Sequence, residues 1–349
     1  MNTHLQIVPS PAAAPSASAR LTPGDHLLSH GGCGYEGAAA ILDALAEATK
    51  HIAAELRAPA GAAPLVSGVG RRNIHGEDVT RMDQSSHNAV VGACMKCHAV
   101  ASITSEEEEG GAVEFPDHPS ASLKLYVDPL DGSSNLGVDV TVGTIFGAYS
   151  VGELQPGRKQ MLAGYAVYGP ATRLVYTAGF GVHMFTLDPA IGDYILTATD
   201  VKMPPRGNIY SINQAYERSF RPELRRFLKK LADERSYSLR YVGSLVADFH
   251  RTLLNGGIFL YPGSKLRLMY EANPLARIAE EAGGLALTNG SRPVLDVEPA
   301  DRHERIPFFC GSAVEMTELA QVMGVKRGSR MPFRLPRTSP IKFFTRSWR

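Results

Sequence analysis

The sequence predicts an α/β protein of two subdomains, and three observations carry that expectation. Stretches with apolar residues at helical spacing recur along the chain between short apolar runs of strand length. Three of those runs, residues 162–169, 173–178 and 182–187, are separated by Gly-Pro-Ala-Thr and Gly-Phe-Gly, which reads as an antiparallel meander. The composition then breaks near residue 200 through Lys202-Met203-Pro204-Pro205, dividing a first subdomain (25–200) from a second (201–325). A chain of 349 residues is long enough to build both.

In order, residues 1–24 are dominated by Pro, Ala and Ser and lack the compact apolar core of a signal peptide, so a disordered leader is expected. Ile41, Leu45, Ile52 and Leu56 define a helix over 36–57, ended by Pro59-Ala60-Gly61. A polar loop over 73–79 follows. Met82-Asp83-Gln84 then opens a helix that places Val90, Val91, Cys94 and Cys97 on one face through 86–99. Leu123, Leu125 and Val127 alternate with polar neighbours as a strand does, and the apolar run Val142-Gly143-Thr144-Ile145-Phe146-Gly147 predicts another. Beyond the boundary, Leu224, Phe227, Leu228 and Leu231 mark an amphipathic helix over 221–234. A second helix over 245–254 stops at Gly256-Gly257. Residues 258–261 form a strand, and 265–270 alternate like its partner. Asn273 is placed to cap a helix with Pro274 in its first turn, and Gly283-Gly284 closes that helix. From Lys326 the chain carries eight Lys or Arg and no acid, which reads as a basic mobile tail over 326–349.

Composition excludes several classes. A net charge of +1 gives no global attraction to nucleic acid or to membrane surfaces. No apolar run approaches the ~18 residues of a membrane span. The four cysteines fit a reducing compartment, and a cytoplasmic location is expected. Cys94-Met95-Lys96-Cys97-His98 has the spelling of a haem attachment site, but two small apolar side chains on a core helix face account for it, and haem is not expected.

The chemistry is concentrated in Asp128-Pro129-Leu130-Asp131-Gly132-Ser133-Ser134-Asn135. Every residue of Asp-Pro-x-Asp-Gly is also a turn former, so a plain surface turn is the competing reading. Its position between two apolar strands favours a built site. Two close carboxylates repel unless a cation lies between them, and the amide-rich Gly-Ser-Ser stretch beside them suits a phosphate. Together they suggest metal-assisted phosphate hydrolysis.

These motifs, with Tyr210-Ser211-Ile212-Asn213, Arg240-Tyr241-Val242-Gly243-Ser244, Gly256-Gly257-Ile258-Phe259-Leu260-Tyr261-Pro262 and Lys265-Leu266-Arg267-Leu268-Met269-Tyr270-Glu271-Ala272-Asn273-Pro274, resemble the class I fructose-1,6-bisphosphatases. That family belongs to the magnesium-dependent, lithium-sensitive sugar phosphatases. The similarity covers roughly residues 36–324. It implies a layered α-β-α-β-α fold and hydrolysis of the 1-phosphate of fructose 1,6-bisphosphate, in gluconeogenesis or the Calvin cycle. It also implies two or more Mg2+ ions per subunit and a homotetramer.

Residue by residue, the resemblance implies metal ligation by Glu106, Asp128, Asp131, Glu271 and the Leu130 carbonyl. Four consecutive glutamates usually mean a solvated loop; here the first takes a ligand's place. Asp83 and Glu107 match positions that orient and deprotonate the attacking water. Asp131 and the amides of Gly132, Ser133 and Ser134 would hold the reacting phosphate. Asn213, Tyr216, Tyr241, Tyr261 and Lys265 match groups that bind the sugar and second phosphate, and Arg240 matches an arginine that reaches a neighbouring subunit's site. Gly137 stands where an acid is usual, with Asp139 two residues on, and the segment from Pro262 to Lys265 is short. The Lys-Tyr pair and the Arg that bind AMP in animal-type relatives fall on Ser122, Leu123 and Ser150. Sedoheptulose-1,7-bisphosphatase or a dual-specificity enzyme is the alternative within the class. A non-catalytic metal-binding regulator is the alternative outside it.

Overall fold

The computed structural model describes residues 21–58, 67–72, 78–108, 111–234 and 236–324. Most of the expected leader, part of the 73–79 loop, Glu109 and the expected tail lie outside them.

The N-terminal half comprises helices α1 (Pro23–Gly31), α2 (Glu36–Arg57) and α3 (Arg81–Cys97), the small hairpin β1 (Gly68–Arg72) and β2 (Asp78–Thr80), and eight further strands. These are β3 (Val100–Ser105), β4 (Ala112–Glu114), β5 (Leu123–Asp131), β6 (Val142–Ser150), β7 (Leu162–Tyr168), β8 (Thr172–Thr177), β9 (His183–Asp188) and β10 (Asp193–Ala198). They form one sheet in the order β10-β9-β8-β7-β6-β5-β3-β4, antiparallel except where β3 lies parallel to β5. The meander is β7–β8–β9 as the turn residues predict.

The C-terminal half holds β11 (Ile209–Ser211), α4 (Pro222–Asp233), β12 (Ser238–Leu239), α5 (Leu245–Asn255), β13 (Ile258–Arg267), α6 (Asn273–Glu281), β14 (Leu285–Thr288), β15 (Arg292–Pro293), β16 (Arg305–Gly311) and α7 (Ala313–Val322). Its six strands order as β12-β11-β13-β16-β14-β15.

The packing is layered. Helices α1, α2 and α3 cover one face of the large sheet, burying Ile41, Leu45, Val90 and Cys94 against Leu125, Val127 and Phe146. Helices α5 and α6 fill the space between the two sheets, with Phe249 and Leu275 among Ile145, Tyr165, Phe259 and Phe308. Helices α4 and α7 cover the far face of the small sheet around Leu224, Phe227, Met316 and Leu319. This is the α-β-α-β-α order expected. It also explains the unbroken apolar run of β6: Ile145 faces one helical layer and Phe146 the other, so neither side of the strand meets water.

Four local expectations are corrected. Residues 21–24 are not leader: Thr22 caps α1 through Asp25 N, Asp25 returns the bond to Thr22 N, and Pro23 opens the helix. Helix α3 ends at Cys97, because His98 turns left-handed. Residues 258–261 and 265–270 are not partner strands. The first continues through an irregularity into Arg267, both parts pairing with β16, and 268–272 then form a π-helical turn. That turn runs directly into α6, so Asn273 is no cap; its amide instead meets the Tyr149 hydroxyl at 3.1 Å.

Candidate active site

Strand β5 delivers the central motif to the edge of the interlayer space. Its pairing with β6 breaks between Asp128 and Asp131, so Pro129-Leu130 bulge out, an irregularity that re-aims side chains. Thr144 Oγ donates to the Pro129 carbonyl at 2.8 Å and Leu130 N to Asp128 Oδ1 at 3.0 Å, which fixes the bulge. Because β3 runs parallel beside β5, the turn that follows it brings Glu106 and Glu107 to the same end, where Glu106 N donates to the Val127 carbonyl. The π-helical turn after β13 supplies Glu271.

Glu106, Asp128 and Glu271 are all buried, each offering a carboxylate oxygen within 4.8 Å of the others. Burial, then Glu106, Asp131, Glu271 and Glu107, push the Asp128 carboxyl well above its usual range. Burial chiefly pushes Glu271 up to about 8; Arg267 opposes the rise and Glu106 adds to it. Arg267, itself 3% exposed, lies 2.6 Å from Glu106 and 3.8 Å from Glu271. Burial works against its charge, but Glu271 and Glu106 outweigh that and hold it protonated. One guanidinium against three carboxylates leaves the cluster short of positive charge. An oxygen-only donor set of this kind fits a hard divalent cation.

Asp131 behaves differently. It accepts from Ser244 Oγ at 2.7 Å, Val246 N at 2.8 Å and Leu245 N at 3.3 Å, and so sits on the N-terminus of α5 rather than within the three-carboxylate group. Helix N-termini attract carboxylates through their open N–H groups and dipole. Gly132 makes the approach possible: its φ is +78°, and a Cβ there would lie 2.9 Å from Ser244 Cβ. Ser133 and Ser134 then begin a 3-10 turn.

These groups line a cleft of about 400 Å³. Of the residues singled out from sequence, all but Asn213, Tyr216 and Arg240 border it. Lys265, Tyr261 and Tyr241 line the same cleft as the carboxylates. Burial raises both tyrosines, so their hydroxyls remain donors at neutral pH. Asn213 and Tyr216 line an adjoining pocket of about 300 Å³ that shares Tyr261 and Lys265 with the cleft. Arg240 points elsewhere, bonding the Leu239 carbonyl from an exposed position. The sequence reading missed Arg267, Ser244 and Asp248 as cleft residues. The signal for Arg267 was present: it lies two residues beyond Lys265 on an alternating strand, hence on the same face.

Such a layered fold, with buried carboxylates, a Gly-Ser-Ser turn, a lysine and two tyrosines lining one cleft, defines a phosphatase of phosphorylated sugars. The particular family follows from comparison: the chain belongs to the fructose-1-6-bisphosphatases, matching the family's N-terminal domain over residues 33–199 and its C-terminal domain over 203–324. It is 42% identical over 302 residues to the class 1 fructose-1,6-bisphosphatase of Synechococcus sp. (strain JA-3-3Ab), covering 81% of this chain and 90% of that protein. It is equally 42% identical to fructose-1,6-bisphosphatase 1 of Bos taurus over 301 residues, 81% of this chain and 88% of the other. The crystal structure of Leishmania major fructose-1,6-bisphosphatase in holo form superposes with a TM-score of 0.81 at 33% identity, over 88% of this chain and 99% of that one.

Proposed function

We propose that the cleft hydrolyses the 1-phosphate of fructose 1,6-bisphosphate, with magnesium held by Glu106, Asp128, Asp131, Glu271 and the Leu130 carbonyl. The observation that carries this reading is the buried three-carboxylate group in one cleft with Gly132–Ser134 and Lys265, a cleft large enough for a small sugar bisphosphate. Bound magnesium, two or more ions per subunit, supplies an acidified water and neutralises charge on the transferred phosphoryl group. The chain's own groups do the rest. The amides of Gly132, Ser133 and Ser134 orient the reacting phosphate, and Asp131 sets their position by anchoring the loop to α5. Glu107 takes the proton from the attacking water, and Asp83 positions that water. Lys265, Tyr241 and Tyr261, with Asn213 and Tyr216, hold the sugar and the far phosphate.

A seven-carbon substrate is the second reading. The pocket beyond Tyr261 and Lys265, lined in part by Gly263 and Ser264, offers room for a longer ketose such as sedoheptulose 1,7-bisphosphate. The exposed Arg240 suits a role in a neighbouring subunit's site within a homotetramer. Among the described residues no helix is long and apolar enough to cross a membrane.

Phosphate release from the two bisphosphates, measured side by side with and without magnesium, tests the proposal. Magnesium-dependent release from the fructose substrate is expected; no release from either would overturn it.

A further inference from the structure

The turn that carries Glu106 and Glu107 is braced from outside. Its backbone contacts include Glu106 N to the Val127 carbonyl at 3.2 Å and Glu108 N to the Ser105 carbonyl at 3.4 Å. A side-chain chain adds to them. Glu107 N donates to Ser105 Oγ at 3.3 Å, and Ser105 Oγ lies 3.0 Å from His87 Nδ1. An amide can only donate, so the Ser105 oxygen accepts there, and it keeps both a hydroxyl hydrogen and a second lone pair for His87 Nδ1. His87 Nε2 faces Glu108 Oε2 at 3.7 Å. His87 is 7% exposed and lies one helical turn beyond Asp83 on the same side of α3. One face of one helix therefore presents Asp83 to the cleft and His87 to the back of the glutamate turn.

We propose that His87, acting through Ser105, is a positioning residue for Glu106 and Glu107. The inference rests on the assignment of those two glutamates under the proposed function. An acid–His–Ser order is also that of an activated nucleophile, but Ser105 has no exposed surface, and a serine that no substrate can reach attacks nothing. A buried polar cluster serving only stability is the remaining alternative. The two differ in what they move: a brace changes metal affinity and turnover, whereas a purely structural contact changes the unfolding midpoint alone.

The experiment compares wild type with His87→Leu, His87→Asn and Ser105→Ala. Magnesium binding is read by calorimetry on substrate-free protein, and kcat and KM are read separately. Asparagine returns a polar atom near the Nδ1 position, within reach of Ser105. His87→Leu is expected to weaken magnesium binding and lower kcat by about 10- to 100-fold, the usual effect of losing a group that orients a ligand, with KM for the bisphosphate little changed. His87→Asn should recover most of the loss. Ser105→Ala should match His87→Leu, and the double variant should be no worse than either. Wild-type magnesium affinity and kcat in folded His87→Leu, or fully additive effects with Ser105→Ala, would overturn the proposal. If His87→Leu does not fold, loss in Ser105→Ala with recovery in His87→Asn supports it, and wild-type behaviour of Ser105→Ala overturns it. Absence of magnesium-dependent release in the wild type would instead count against the functional reading beneath it.

Discussion

Glu271→Gln should make the metal-free protein more stable while destroying its activity. In the fold the Glu271 carboxyl loses its proton near pH 8 rather than near the ordinary 4.5. Between those values the folded state holds a proton that the unfolded chain has released, so stability falls as pH rises. At about 1.4 kcal/mol per pH interval, the loss is on the order of 3 kcal/mol by pH 7 and levels off above pH 8. The rise comes chiefly from burial of the carboxylate; Arg267 opposes it and Glu106 adds to it. Glutamine is neutral at every pH and can still accept from Arg267 N, which lies 2.5 Å from Glu271 Oε2. Denaturant unfolding with a chelator present should therefore show the variant ahead by ~3 kcal/mol at neutral pH, with the advantage vanishing below pH 4.5. Magnesium-dependent turnover should drop by at least ~10²-fold. A metal-free variant less stable than wild type at neutral pH would refute the argument that burial makes an ionised Glu271 costly, and near-normal turnover would refute the ligand assignment.

Asp131→Ala should do the opposite to stability, costing about 1–3 kcal/mol whether or not magnesium is present, because it strips acceptors from a buried hydroxyl and two helix amides; an unchanged unfolding midpoint would contradict this. Lys265→Ala should raise KM far more than it lowers kcat, since it is assigned to the non-reacting phosphate, and an unchanged KM would remove that assignment. AMP should inhibit little. Leu123 and Ser150 pair directly across β5 and β6, with Ser122 alongside; these are the places at which the relatives' Lys-Tyr pair and Arg would fall. Losing two phosphate-binding cations at ~1.5–3 kcal/mol each should abolish useful affinity, and half-inhibition at micromolar AMP would show the reasoning to be wrong.

Most of the fold was legible because burial on one or two faces imposes period. Helix α4 announced itself through Leu224, Phe227, Leu228 and Leu231, all of which are buried. Helix α1 did not, since nine residues carry too few apolar positions for a period to stand out; its signal was chemical, in the Thr22-Pro23 start with Asp25 three residues from the cap. The alternation after Tyr261 was real, but alternation states only that a residue lies on a strand, not which strand it pairs with. Leu266 and Arg267 stay in register with Ile306 and Arg305 because β16 is long enough to continue past the irregularity.

The site shows where sequence runs out for a different reason. Asp128 and Asp131 are the same residue type three positions apart, and nothing in the motif separates their duties. The separation comes from the bulge at Pro129-Leu130, which aims one carboxylate at Glu106 and Glu271 and the other at α5. The first arrangement costs the empty fold stability and is relieved by a cation. The second is partly offset within the fold, because three donors at the helix terminus oppose the rise that burial imposes on Asp131. Under the proposed function, Asp131 would hold the Gly132–Ser134 amides in place before metal or substrate binds, so that binding energy need not be spent on ordering the loop. It also ties the loop to the element that carries Asp248, whose carboxylate accepts from Val242 N at 3.0 Å and Gly243 N at 3.1 Å. The first turn of α5 thus sets the distance between the phosphate cradle and the Tyr241 wall, and a change in that turn should alter which bisphosphate fits before it alters the chemistry.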